Sequence, residues 1–94
     1  MQYREAMSTL KKMGTAQNVK VYRRHGAGDK LYGVSFANLK KLKQQIKTDH
    51  ALAQRLWASG NSDARTLAIM VADPQQMTAR EMDDWLGDIS YYLL

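Results

Sequence analysis

Apolar residues recur along this chain at spacings of three and four, the mark of helices that bury one side. Tyr3, Met7 and Leu10 open the series, and Gly14 is expected to supply a left-handed residue at that helix's C-terminus. From Thr15 a second helix carries Ala16, Val19 and Tyr22 on one side and stops at HGAGD, where Gly26 and Gly28 break the pattern. GAGDKLYGV reads as the longest loop, anchored on the core by Leu31, Tyr32 and Val34. Ser35 is a good N-cap for FANLKKLKQQIK, with Phe36, Leu39, Leu42 and Ile46 as the expected buried stripe. Thr48 or Asp49 caps a short helix with Leu52, Leu56 and Trp57, ended by Gly60, and Asn61 caps the next. In Thr78-Ala79-Arg80-Glu81 the spacing is that of a capping box, with Glu81 expected to reach back to the Thr78 amide. A last helix carries Met82, Trp85, Leu86, Ile89 and Leu93.

Strand-like alternation is scarce. VKVY is the best candidate, and Ala16 and Val19 fit a helix at least as well. The pattern therefore predicts an all-α chain of six helices, each about 10–14 residues long. SGNSDARTLAIMVADP adds a packing clue, because Ala64, Ala68 and Ala72 stand at i, i+4 and i+8. Small residues at that spacing let a neighbouring helix approach closely. Two helices also echo one another, in LAQRLWA and LAIMVAD. Antiparallel helix pairs stacked in layers, within a single domain over residues 1–94, are the expected architecture.

Charge changes the picture because it is lopsided. Residues 1–48 carry eleven lysines and arginines against Glu5 and Asp29, whereas residues 49–94 carry three against seven acidic residues. A basic half of that density attracts polyanions, nucleic acid being the commonest, although a solvated lysine-rich surface has the same composition. There is no cysteine, so disulfides and thiolate metal sites are excluded. No apolar run approaches the ~20 residues of a membrane span, and MQYREAMSTLKK is too polar for a signal peptide. A cytoplasmic protein without membrane contact is expected.

Candidate chemistry is confined to a few places. RRHGAG can act as a phosphate clamp through Arg23, Arg24 and His25, since glycines allow close backbone approach and arginines fork onto phosphate oxygens. The same cations also suit a helix C-terminus. Lys40, Lys41, Lys43 and Lys47 reach phosphates if their face lines a groove. His25 and His50 have no carboxylate at metal-binding spacing, so neither metal nor cofactor is expected, and His50 reads as a surface residue. Asp83 and Asp84 point about 100° apart on a helix and read as a solvated face. Trp57 and Trp85 read as core, and Arg65 as an ordering residue bridging to Asp63 or Asp84.

From YGVSFANLKKLKQQI through LAQRLWASGNSDARTLAIMVADP to MTAREMDDWLGDI, the chain resembles the DNA alkylation repair family, glycosylases built from HEAT-like helical repeats. The resemblance implies a right-handed solenoid with a basic concave face along duplex DNA. It also implies metal-free hydrolysis of the N-glycosidic bond of cationic alkylpurines. An already cationic base leaves readily, so a carboxylate that stabilises charge on the sugar can replace elaborate acid catalysis. Where the family places an aromatic residue and then an aspartate, this chain reads ISYYLL. Tyr92 stands roughly in the aromatic's place, Leu93 where an acidic residue commonly follows, and the aspartate would fall beyond Leu94. A match to the family's N-terminal half is thus expected, binding DNA without glycosylase activity of its own. The alternative is a non-enzymatic repeat scaffold that binds protein, or pairs with a second copy through Ile89, Tyr92 and Leu93 of the C-terminal helix.

Overall fold

Six helices follow one another: α1 (Tyr3–Met13), α2 (Ala16–Arg24), α3 (Phe36–Ile46), α4 (His50–Ala58), α5 (Ser62–Val71) and α6 (Ala79–Asp88). The computed structural model describes residues 1–24 and 30–88, and there is no strand among them. Local side-chain caps set where most helices begin. Ser35 Oγ accepts from the Asn38 amide at 3.2 Å, Asp49 Oδ1 from Leu52 at 3.1 Å, and Asn61 Oδ1 from Ala64 at 3.0 Å. Asp49, rather than Thr48, therefore starts α4. Thr15 and Thr78 do the same for α2 and α6. Each such cap satisfies an otherwise orphaned N–H and is worth about 1 kcal/mol.

At the centre lies α5, packed against α4, α3 and α1. The short Ser59–Asn61 link makes α4 and α5 an antiparallel pair. Ala64 and Ala68 are fully buried, so the alanine edge of α5 does admit close neighbours, with Leu67 and Val71 filling the space beside it. The shortest molecular extent is 19 Å, room for two helix layers about 10 Å apart. Trp57 of α4 and Trp85 of α6 stack face to face, with ring centroids 4.6 Å apart. Both are core residues, as their leucine-rich surroundings in the sequence suggest.

The segment from Tyr32 to Val34 locks the two halves of the chain together. Its three consecutive N–H groups converge on the buried carboxylate of Asp63: Tyr32 and Gly33 donate to Oδ2 at 2.5 and 3.1 Å, Val34 to Oδ1 at 3.0 Å. The Gly33 carbonyl accepts from the Thr15 amide and from Asn18 Nδ2, and the Val34 carbonyl from the Tyr22 hydroxyl at 2.8 Å. Two glycines make this threading possible. Gly33 has φ +79°, and a Cβ there would meet the Thr15 carbonyl at 2.4 Å. Gly14 corrects an expectation: its φ is −71°, not left-handed. What it supplies is clearance, since a Cβ would lie 2.0 Å from the Tyr32 carbonyl oxygen.

Two apolar positions depart from the expected stripes. Phe36 is 57% exposed and Met82 45% exposed, while Leu39, Leu42 and Trp85 on the same helices are buried. Helix α2 has no fully buried residue, and hydrogen bonds to the 32–34 segment help hold it.

Replacing Asp63 with alanine strands three N–H groups, two of them in fully buried residues, and should destabilise the domain by about 3–5 kcal/mol, at the penalties usual for lost charge-assisted bonds. Asp63→Asn keeps one acceptor oxygen and should lose about half as much, both read from urea midpoints at unchanged m-value.

Candidate nucleic-acid interface

Helix α3 carries two faces about a quarter-turn apart. Leu39, Leu42 and Ile46 project in one direction, toward the core. At 100° per residue, Phe36, Lys40 and Lys43 share a strip roughly 100° round from it, and Lys47 follows at the C-cap. Lys40 and Lys47 are exposed and Lys43 is half-buried at the edge of the core. The Lys40 ammonium lies 5.6 Å from the centroid of the Phe36 ring. Lys41 is exposed on a different side of the helix, away from this strip.

Lys47 ends α3 with φ +65° and ψ −114°, the single positive φ outside glycine among the described residues. A side chain with a Cβ is strained there, and the position would be more comfortable as glycine.

At the far end of α3, the Tyr22–Val34 bond ties the last turn of α2 to the residues just ahead of Phe36. Arg23 and Arg24 occupy that last turn and are exposed. Burial, reinforced by the Asp63 charge, pushes the Tyr22 hydroxyl above its ordinary pKa, so it stays a donor to Val34. The sequence thus has two clusters of candidate cations, one in the last turn of α2 and one along α3, and both are carried on exposed turns of their helices. Among the described residues none of Arg23, Arg24, Lys40, Lys43 or Lys47 is in an ion pair. The remaining candidates, His25 and Tyr92, lie outside the described residues, as do Ile89 and Leu93 of the suggested pairing surface.

Elsewhere, titratable side chains serve the fold. His50 is buried, not a surface residue: its Nδ1 accepts from the Asp73 amide and its Nε2 lies 2.8 Å from Glu81 Oε1. An imidazole that accepts at Nδ1 carries its proton on Nε2 and donates it to Glu81. Glu81 also accepts from Gln54 at its other oxygen, so its carboxylate bridges to α4 rather than folding back to Thr78. Only half of the expected capping box therefore forms, through the Thr78 hydroxyl. Arg65 orders the helix layer, though through different partners than expected. Its Nε donates to the Trp57 carbonyl at 3.1 Å and its guanidinium lies 4.6 Å from the centroid of the Trp57 ring. Asp63 is committed to the loop, while Asp83 and Asp84 face solvent. Hydrogen bonds from Gln76 and Gln75 hold the exposed Asp73 carboxyl below its ordinary range. No cluster of three or more potential metal ligands occurs among the described residues.

A layered α-helical repeat with an unpaired cationic strip is the class of protein these features define. Residues 6–92 match the model of the DNA alkylation repair enzyme family, and the chain belongs to that family. An uncharacterized protein of Listeria monocytogenes is 30% identical over 80 residues, which cover 81% of this chain and 36% of that protein. Another uncharacterized protein, from Listeria innocua, aligns to the same extent. A solved structure described as a new family of proteins related to the HEAT-like repeat DNA glycosylases, with affinity for branched DNA structures, superposes with a TM-score of 0.90 at 31% identity. It covers 99% of this chain, which in turn spans 40% of that protein. The chain thus corresponds to well under half the length of these relatives. No helix among the described residues is long and apolar enough to cross a membrane.

Lys47→Gly tests the strain at this position. Relief of the positive φ should raise stability by about 0.5–1 kcal/mol. The measurement is thermal denaturation, and an unchanged or lower melting temperature would argue against strain at Lys47.

Proposed function

We propose that this chain is a DNA-binding helical-repeat segment that holds phosphates through α2 and α3, with a preference for branched over plain duplex DNA. The observation that carries the reading is the set of exposed, unpaired cations Arg23, Arg24, Lys40 and Lys47, with Lys43 at the strip's edge. Cations tied up in surface ion pairs would have to break them to meet a phosphate, and these do not. Family membership and the described affinity of the structural neighbour for branched DNA support the choice of DNA among polyanions.

Binding, rather than cleavage, is the role proposed for these residues. Asp63, which is buried, and Glu81 are both spent on structural bonds. Asp49 caps α4, and Asp83 and Asp84 stand in solvent. None of these is held in a dry site against which a developing oxocarbenium charge could be stabilised. On incubation with alkylated duplex, released methylpurine should not exceed background. Turnover would refute the proposed division.

Salt provides the direct test of phosphate contact. Affinity should fall linearly on a log–log plot against salt, and each of Lys40→Ala, Lys43→Ala and Lys47→Ala should flatten the slope by about 0.9 on duplex or about 0.7 on single strands. Affinity insensitive to salt would instead favour an apolar protein-binding scaffold.

A further inference from the structure

We propose that Phe36 is a stacking platform for an unpaired nucleotide, and that Lys40, Lys43 and Lys47 track the phosphates of the strand that carries it. The inference rests on the DNA-binding reading above and names what the α3 strip would recognise in a branched substrate: an unstacked base beside the branch point. Phe36 is the chain's sole phenylalanine, and it is 57% exposed in a protein whose tryptophans are both buried. A phenylalanine left in water forgoes the burial that its helix offers to Leu39 and Leu42, one and nearly two turns on. No salt bridge or hydrogen bond of the fold depends on its ring.

Its surroundings fit a nucleotide. Phe36 and Lys40 are one turn apart on one face of α3, with the Lys40 ammonium already over the ring at 5.6 Å. Rotation about the lysine's own side-chain bonds clears that face for a base and leaves the ammonium beside the base's phosphate. From Phe36 to Lys47 the strip runs eleven residues, about 16 Å of helix, long enough to follow a few nucleotides. Aromatic rings next to lysines bind single strands through stacking on one hand and phosphate contact on the other. Charge also selects the occupant: a strip with three lysines repels a basic protein surface and welcomes a polyanion.

The test compares a three-way junction with unpaired nucleotides at the branch, a single strand and a fully paired duplex, titrated against the 94-residue chain and its variants at one salt concentration. Phe36→Ala should weaken junction and single-strand binding at least 5-fold, the low end of base–aromatic stacking, while changing duplex affinity less than 2-fold. Phe36→Trp should restore or exceed the original junction affinity. Lys40→Ala should weaken all three substrates. Because the Phe36 ring is mostly in solvent, unchanged helical circular dichroism and melting temperature are expected for its variants. Equal loss on duplex and junction, or no loss on either with the fold intact, would overturn the stacking role while leaving the DNA reading in place. Failure of the unsubstituted chain to bind any of the three DNAs would overturn both.

Discussion

Three backbone N–H groups held by one buried carboxylate govern the arrangement of this domain. Asp63 enters the interior in the first turn of α5, and burying an ionised carboxylate is costly unless its lone pairs are filled. Tyr32, Gly33 and Val34 fill them from a segment about thirty residues earlier in the chain. The dependence is mutual. A non-helical segment threaded between helices has no sheet to pair with, so its N–H groups need an acceptor, and its carbonyls need donors from Thr15, Asn18 and Tyr22. The same few residues therefore join α1, α2, α3 and α5, with hydrophobic burial adding bulk stability around a junction that is polar.

That junction also decides where the charges go. Helix α2 buries no residue completely, so burial alone does not fix its position. Tyr22 and Asn18 give it a register on the 32–34 segment, and Arg23 and Arg24 follow directly from Tyr22. Ser35, next after Val34, caps α3 and sets the rotation that turns leucines inward and the Phe36–Lys40–Lys43 strip outward. The helices that carry these cations are thus tied to a segment held by a carboxylate. The Asp63 carboxylate is engaged by its N–H partners, and α2 and α3 carry no acidic residue of their own.

How much of this was legible in the sequence depends on the range of the interaction concerned. Caps at Ser35, Asp49 and Asn61 act over three residues and are readable from residue type and spacing. The alanine edge of α5 is equally local. Glu81 shows the limit: its spacing from Thr78 is right for a capping box, yet its carboxylate answers to His50 and Gln54, 31 and 27 residues away. His50 looked like a surface residue because nothing near it in sequence reveals Asp73 or Glu81 as partners. Phe36 fits the buried stripe by hydrophobicity, although its helical angle groups it with Lys40 and Lys43. The angular signal was present there, and residue type outweighed it. Gly14 was read for its backbone freedom, when what matters is the Tyr32 carbonyl pressed against its Cα from across the fold.

The motifs that carry the family likeness acquire a physical meaning from these contacts. Tyr-Gly-Val and Asp-Ala-Arg look like separate signatures in the sequence, and in the fold they are two sides of one hydrogen-bonded joint, with Arg65 stacked on Trp57 and Trp57 on Trp85 beside it. Residues bound to one another in this way constrain the scaffold more than the chemistry performed on it. A protein can keep the joint, and with it the stacked helices and their basic flank, while its contacts with DNA change. The residues the joint leaves free, Phe36 and Lys40 among them, are exposed beside it and take no part in its bonds.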